Sequence, residues 1–261
     1  MRDIDYAFSV AYANAYEPKA EPDKEKLIDE VFRDLKSVCP ENVPLDMLVY
    51  KNDYINLKTV IRAMHIKSDY TRLMIKPCIV EPKELFDSIK QGDYSGLPDF
   101  IASQAKEAYE IMNRTGNVQL MEVYLDKELL KVMLECARKL ENLYIINWVL
   151  LLCDLANCDI LLRGSKAQTD AQIMKTAFID EGAFDKDMAI SAVSEGYEQA
   201  KEYVRSVYPD IVNAWENGNY EEEKSRLIKA YIQSRSDRVF GVEPIISFFL
   251  GLEESEELYN A

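Results

Sequence analysis

The sequence predicts an all-α protein built from repeated helical lobes, and three observations carry that prediction. Apolar residues recur at helical spacing through most of the chain, while no run alternates as a half-buried strand does. Gly and Pro number nine each among 261 residues, few enough to leave long uninterrupted helices, and 48% of the residues are apolar. The third observation is internal repetition: Asp53 to Arg62, DYINLKTVIR, returns 101 positions later as Asp154 to Arg163, DLANCDILLR. The windows 53–69 and 154–170 share Asp53/Asp154, Asn56/Asn157, Arg62/Arg163 and Asp69/Asp170, four identities in 17 positions where ~1 is expected from average composition. Ahead of each copy, Leu45/Ile146, Met47/Trp148, Leu48/Val149, Val49/Leu150 and Tyr50/Leu151 are apolar in both. A partial third echo, Glu257 and Asn260, closes the chain behind the apolar run Ile245 to Leu250. The expected lobes are residues 1–116, 117–216 and, incomplete, 217–261.

The elements follow in order. The first 24 residues, Tyr-rich and then broken by Pro18 and Pro22, read as a partly ordered lead-in. Leu27, Ile28, Val31, Phe32 and Leu35 form one stripe of a helix that starts near Pro22-Asp23 and stops before Cys39-Pro40. A Pro-marked turn leads into the first motif helix, about Leu45 to Met64. There Tyr54, Leu57, Ile61 and Met64 share a face, and Asp53 and Asn56 stand three apart on the neighbouring one. Lys67 to Gly96 connects, with a short helix near Lys83 to Lys90, and Pro98 opens a helix to about Asn113. The break Thr115-Gly116-Asn117 introduces a helix from Val118 to Leu140. The second motif helix runs from Glu141 to about Arg163, with Gly164 as its expected stop. Glu181-Gly182 reads as the counterpart of the turn Ile79 to Pro82. One long helix is expected from Phe184 to Val207, another from Tyr220 to Ser234, and Glu243-Pro244 opens the last.

An acid and an amide side by side in an apolar helix need hydrogen bonds from a neighbouring loop or helix, because burying either without them is costly. Asp53, Asn56, Asp154 and Asn157 are therefore expected to tie each motif helix to its own repeat. Arg62 is nine residues from Asp53 and projects away from it, so an Asp–Arg pair within one copy is not expected.

A formal net charge of −15 argues against a general nucleic-acid binder, which needs a basic surface to displace phosphate counterions. Five cysteines, Cys39, Cys78, Cys136, Cys153 and Cys158, lie mostly in apolar helical stretches and read as buried thiols without disulfides. The start shows no signal-peptide pattern, and the most apolar window, Leu143 to Cys153, reads as too short to cross a bilayer. Together these give a chain of cytoplasmic character with no direct membrane insertion. His65 is the single histidine and Cys153-x4-Cys158 has no second pair nearby, so no metal site is expected. Neither a phosphate-cradling Gly-rich loop nor a Gly-x-Ser-x-Gly turn occurs, so no cofactor and no catalytic residues are expected.

At the repeated motif the sequence resembles the C subunit of the archaeal and bacterial V/A-type rotary ATPases, equivalent to the d subunit of the eukaryotic vacuolar proton pump. The residues that carry this are Asp53, Asn56, Leu57, Lys58 and Arg62, then Asp154, Asn157 and Arg163, and finally Glu243-Pro244, Ile245 to Leu250 and Glu254 to Asn260. Their order across about 220 residues is what makes the match specific. The resemblance implies three similar helical lobes in a pseudo-threefold, funnel-like arrangement. It also implies a non-catalytic socket that sits on the membrane rotor ring, receives the central stalk and passes torque between ATPase head and ion translocation. The implied partners are central-stalk and rotor-ring subunits, with the chain on the cytoplasmic side, peripheral to the membrane. The pattern departs from the family at both ends: Asp5-Tyr6 stands close to the start, as if a lead helix pair were missing or replaced, and Ala261 falls inside the third motif. Two other readings accompany this one, a helical-repeat scaffold outside the ATPases and a carboxylate-dependent enzyme using Asp53 or Asp154.

Overall fold

A computed structural model describes residues 9–13, 15, 24–40, 43–234 and 241–254. Every regular element among them is helical. In order these are α1 (Lys24–Val38), α2 (Leu45–Ile66), a 3-10 turn (Thr71–Leu73), α3 (Pro82–Gln91), α4 (Ala102–Thr115), α5 (Val118–Lys139) and α6 (Leu143–Asp159). A π-helical turn (Ile160–Gly164) extends α6, and α7 (Ala171–Ala177), α8 (Lys186–Glu195), α9 (Tyr197–Val207), α10 (Pro209–Asn217), α11 (Tyr220–Gln233) and α12 (Glu243–Glu253) follow.

The apolar side chains gather into three cores. The central one takes the first turns of α2 (Leu45, Met47, Leu48, Val49), α6 (Tyr144, Ile145, Trp148, Val149) and α12 (Ile245, Ile246, Phe249, Leu250), together with α1 and the second half of α5. Farther along, α2 and α6 leave it for separate outer cores. Tyr54, Leu57, Val60 and Ile61 pack with α3, α4 and the first half of α5. Leu155, Cys158, Leu161 and Leu162, each 101 positions on, pack with α8 to α11. Each such side chain removed from water contributes roughly 1.5–3 kcal/mol, so the apolar pattern alone accounts for two outer bundles joined at a shared base.

Charges close the arrangement. α2 and α5 run antiparallel and are paired by Lys58 with Asp126 and Arg62 with Glu122. α6 and α11 repeat this with one pair reversed in sign, Asp159 to Lys224 at 2.5 Å, and one kept, Arg163 to Glu221. The last helix is tied to the first two: Lys51 meets the buried Glu253 carboxylate at 2.9 Å, and Lys24 donates to the Glu253 carbonyl at 2.7 Å.

Several expectations need correction. The helix expected from Phe184 to Val207 breaks at Gly196, whose φ of 114° and ψ of 177° suit a residue without Cβ, giving α8 and α9. The helix α10 is an addition to the expected elements; Pro209, two residues past the expected helix end at Val207, supplies its first turn, where a missing N–H costs nothing. Gly164 does not end the second motif helix. It sits in the π-turn, where an added Cβ would lie 2.9 Å from Met174, and its role is close approach. As a result Leu143 to Gly164 is one continuous helix of 22 residues, long and apolar enough by composition to cross a bilayer, with more than half of it buried inside the protein. The lead-in is partly helical at residues 9–13, where Ser9 donates to the Val38 carbonyl at 3.2 Å.

Both motif helices end alike. Lys67 (φ 54°) and Gln168 (φ 53°), 101 positions apart, adopt the left-handed conformation that favours glycine. Ser68 N–H then reaches the Ala63 carbonyl and Thr169 N–H the Gly164 carbonyl, each at 2.9 Å. Lys67→Gly and Gln168→Gly are each expected to raise stability by ~0.5–1 kcal/mol, read as a higher denaturation midpoint; a fall would show that the lysine and glutamine side chains themselves hold these ends.

Candidate functional site

The first motif helix carries a buried polar seam of Asn52, Asp53 and Asn56. Asn56 forms a two-way bond with Ile75, donating Nδ2–H to its carbonyl (2.9 Å) and accepting its N–H at Oδ1 (2.8 Å). Asp53 Oδ1 accepts the N–H groups of Ile79 (3.0 Å) and Val80 (2.8 Å), and Asn52 donates to the Pro77 carbonyl at 2.8 Å. The seam thus replaces the hydrogen bonds that residues 75–80, which form no helix or strand, would otherwise lack.

The second copy does the same with one helix of extra length. Asn157 holds Ile179 in the same two-way bond, 3.0 Å in both directions. Asp154 Oδ1 accepts Ala183 N–H at 2.7 Å, and its Oδ2 accepts the Tyr208 hydroxyl at 2.7 Å. Up to Asp69 and Asp170 the copies stay in step, each acid accepting a backbone N–H two residues on, at Thr71 and Gln172. Three more residues then intervene, because α7 stands where the first copy has a 3-10 turn. The counterpart of Ile79 is therefore Ala183, and Glu181-Gly182 lies just before it. Gly182 is required there: its φ is 101°, and a Cβ would fall 2.2 Å from Asp154 Oδ1.

Arg62 and Arg163 are exposed and point away from the seam to Glu122 and Glu221, and Arg163 also meets Asp159 at 2.6 Å. Glu257 and Asn260 lie outside the described residues. Sequence reasoning missed Asn52, Tyr208 and the two glutamates, and read Gly182 as a turn residue without its approach to Asp154. Only the glutamates left a trace, standing near the start of the helix that pairs with each motif helix.

Burial pushes the Asp53 carboxyl up to about 6, against the pull of the Val80 and Ile79 amides. Asp154 is raised for the same reason, opposed by Ala183 N–H and the Tyr208 hydroxyl. The thiols of Cys78 and Cys153 are pushed up to about 12 by burial, so neither is a ready nucleophile. All five cysteines are free. Among the described residues no group of three or more His, Cys, Asp or Glu side chains is placed to hold a metal ion. The arrangement fixes loops on helices through hydrogen bonds from the motif side chains.

Asp53→Ala and Asp154→Ala are expected to cost ~1–3 kcal/mol each by stranding buried amides. Asp53 also sets a pH dependence. Its folded pKa lies above the unfolded one, so between 3.8 and about 6 the unfolded chain ionises first and stability falls as pH rises. Relative to Asp53→Asn, wild-type protein should lose up to about 3 kcal/mol across that window, measured by chemical denaturation at a series of pH values; parallel curves for the two proteins would contradict it.

The chain matches the ATP synthase (C/AC39) subunit family over residues 24–256, from the first residue of α1 to beyond the end of α12. No curated protein matches it. Since the match spans both seams and all three cores, the chain belongs to the ATP synthase (C/AC39) subunit family, whose members are subunits of V/A-type ATPases.

Proposed function

We propose that the protein is the non-catalytic rotor socket of a V/A-type ATPase, seated on the membrane rotor ring and receiving the foot of the central stalk. The reading rests on the family match across residues 24–256. The construction of the molecule supports it mechanically. A part that passes torque must not yield, and here loops 75–80 and 179–183 are pinned to long helices by buried hydrogen bonds instead of being left to move. In this proposal the lobes are residues 1–116, 117–216 and 217–261, set in a pseudo-threefold, funnel-like arrangement. The starts of α2, α6 and α12 meeting in one core are what such a base requires. The complex would hold the chain on the cytoplasmic side, peripheral to the membrane, through stalk and ring subunits.

Affinity isolation of the tagged chain from its native membranes tests this. Stalk and ring subunits of a rotary ATPase are the expected companions; recovery of the chain without either would overturn the reading in favour of a helical scaffold acting elsewhere. Asp53→Ala and Asp154→Ala should weaken the association only as far as they unfold the chain. Loss of binding with an unchanged melting temperature would place these acids at the contact itself.

A further inference from the structure

The hairpin of α5 and α6 has two halves that pack differently. Beside its turn, Met133, Leu134 and Ala137 of α5 and Tyr144, Ile145, Trp148 and Val149 of α6 are buried together in the central core. Away from the turn the helices part: Met121 and Leu125 of α5 enter the first outer core, whereas Leu155, Cys158, Leu161 and Leu162 enter the second. Two adjoining clefts of about 380 and 320 Å3 lie in this region, both bordered by Val123, Asp159, Ile160 and Ala177. Along this line α5 lies against α7, but the two clefts interrupt the apolar contact between the outer cores.

Beside the clefts, Lys127 of α5 reaches across to the second repeat with a charged group. Its Nζ donates to the carbonyls of Phe178 at 2.6 Å and Thr176 at 3.3 Å and lies 3.5 Å from Asp180, with the side chain only 14% exposed. Phe178 is fully buried in the second outer core. Arg138, farther along α5, adds a two-pronged bond to Glu181 at 3.2 and 2.8 Å, in a more exposed position where such pairs contribute less. The same segment is the one that Asn157 and Asp154 hold from α6 through Ile179 and Ala183. It is therefore gripped from both helices of the hairpin.

We propose that Lys127, assisted by Arg138, sets the angle between the two outer cores, a positioning clamp across a seam that packing leaves partly open. An ammonium is suited to this because its N–H groups can converge on carbonyls at the end of α7 and just beyond it without needing a close-packed surface. The Ile179 and Ala183 amides keep their own acceptors when the clamp is removed, so the clamp and the seam are separable. The clamp belongs to the isolated chain and operates whichever partners the chain meets.

Spin labels at exposed positions 110 on α4 and 199 on α9, introduced as an unnatural amino acid that spares the native thiols, report the angle as a distance distribution. Wild-type protein is expected to give a narrow distribution. Lys127→Met should lose it, Lys127→Arg should restore it, and the Ile179 and Ala183 amides should stay protected from hydrogen exchange in every variant. An unchanged distribution in Lys127→Met would overturn the proposal. So would a broadened one accompanied by loss of Ile179 and Ala183 protection, which would make Lys127 a tie within the second core only. If Lys127→Met fails to fold, Lys127→Gln, which keeps an uncharged amide with two N–H donors on a shorter side chain, must still broaden the distribution; a wild-type result there would equally overturn the clamp.

Discussion

A carboxylate and an amide buried on an apolar helix must find partners, and in this protein the need is met by backbone that has no other source of hydrogen bonds. Asp53 and Asn56 take up residues 75–80, and Asp154 and Asn157 take up residues 179–183. Each loop returns from the tip of its motif helix and leads into the rest of its bundle. Fixing the loop fixes where α3, in the first copy, and α8, in the second, begin to pack. The exchange is reciprocal, because the side chains and the loop would each be unsatisfied alone. Identical side chains at identical spacing therefore yield the same local geometry twice, although the connecting segments differ by three residues.

The copies diverge in what surrounds that tie. Asp53 is held by backbone amides alone and carries the larger burden of burial. Asp154 gains a hydroxyl from Tyr208 and presses against Gly182, the one residue type that its approach allows. The ion pairs between neighbouring helices show the same drift: Arg62 and Arg163 keep an acidic partner, while Lys58 with Asp126 becomes Asp159 with Lys224. A pair reversed in sign preserves attraction, so the ion pairs between helices differ where the buried seam does not.

Much of this was legible in the chain. The motif acids and amides, their need for loop partners, and the bounds of α1, α2, α3 and α5 follow from apolar spacing and from where Pro and Gly interrupt it. What escaped reading depends on backbone states that composition leaves open. Gly196 in a helical pattern reads equally as a tolerated interruption or a break, and only its φ decides. Gly164 resembles a helix stop, yet Met174 approaching it makes it a packing site, and the left-handed end falls on Gln168 instead. Tyr208 and Lys127 reach their partners across 54 and 51 residues of chain, distances over which a single sequence carries no pairing signal. The apolar length of the second motif helix exceeds the window Leu143 to Cys153 for a related reason: Asp154, Asn157 and Asp159 look like the end of an apolar run until their partners are known.

Buried side chains, not regular secondary structure, hold loops 75–80 and 179–183. Amide hydrogen exchange read residue by residue tests it most directly. Ile75, Ile79, Val80, Ile179 and Ala183, none of them in a helix, are expected to exchange as slowly as the buried turns of α2 and α6. Exchange of these five amides at the rate of exposed loops would contradict it.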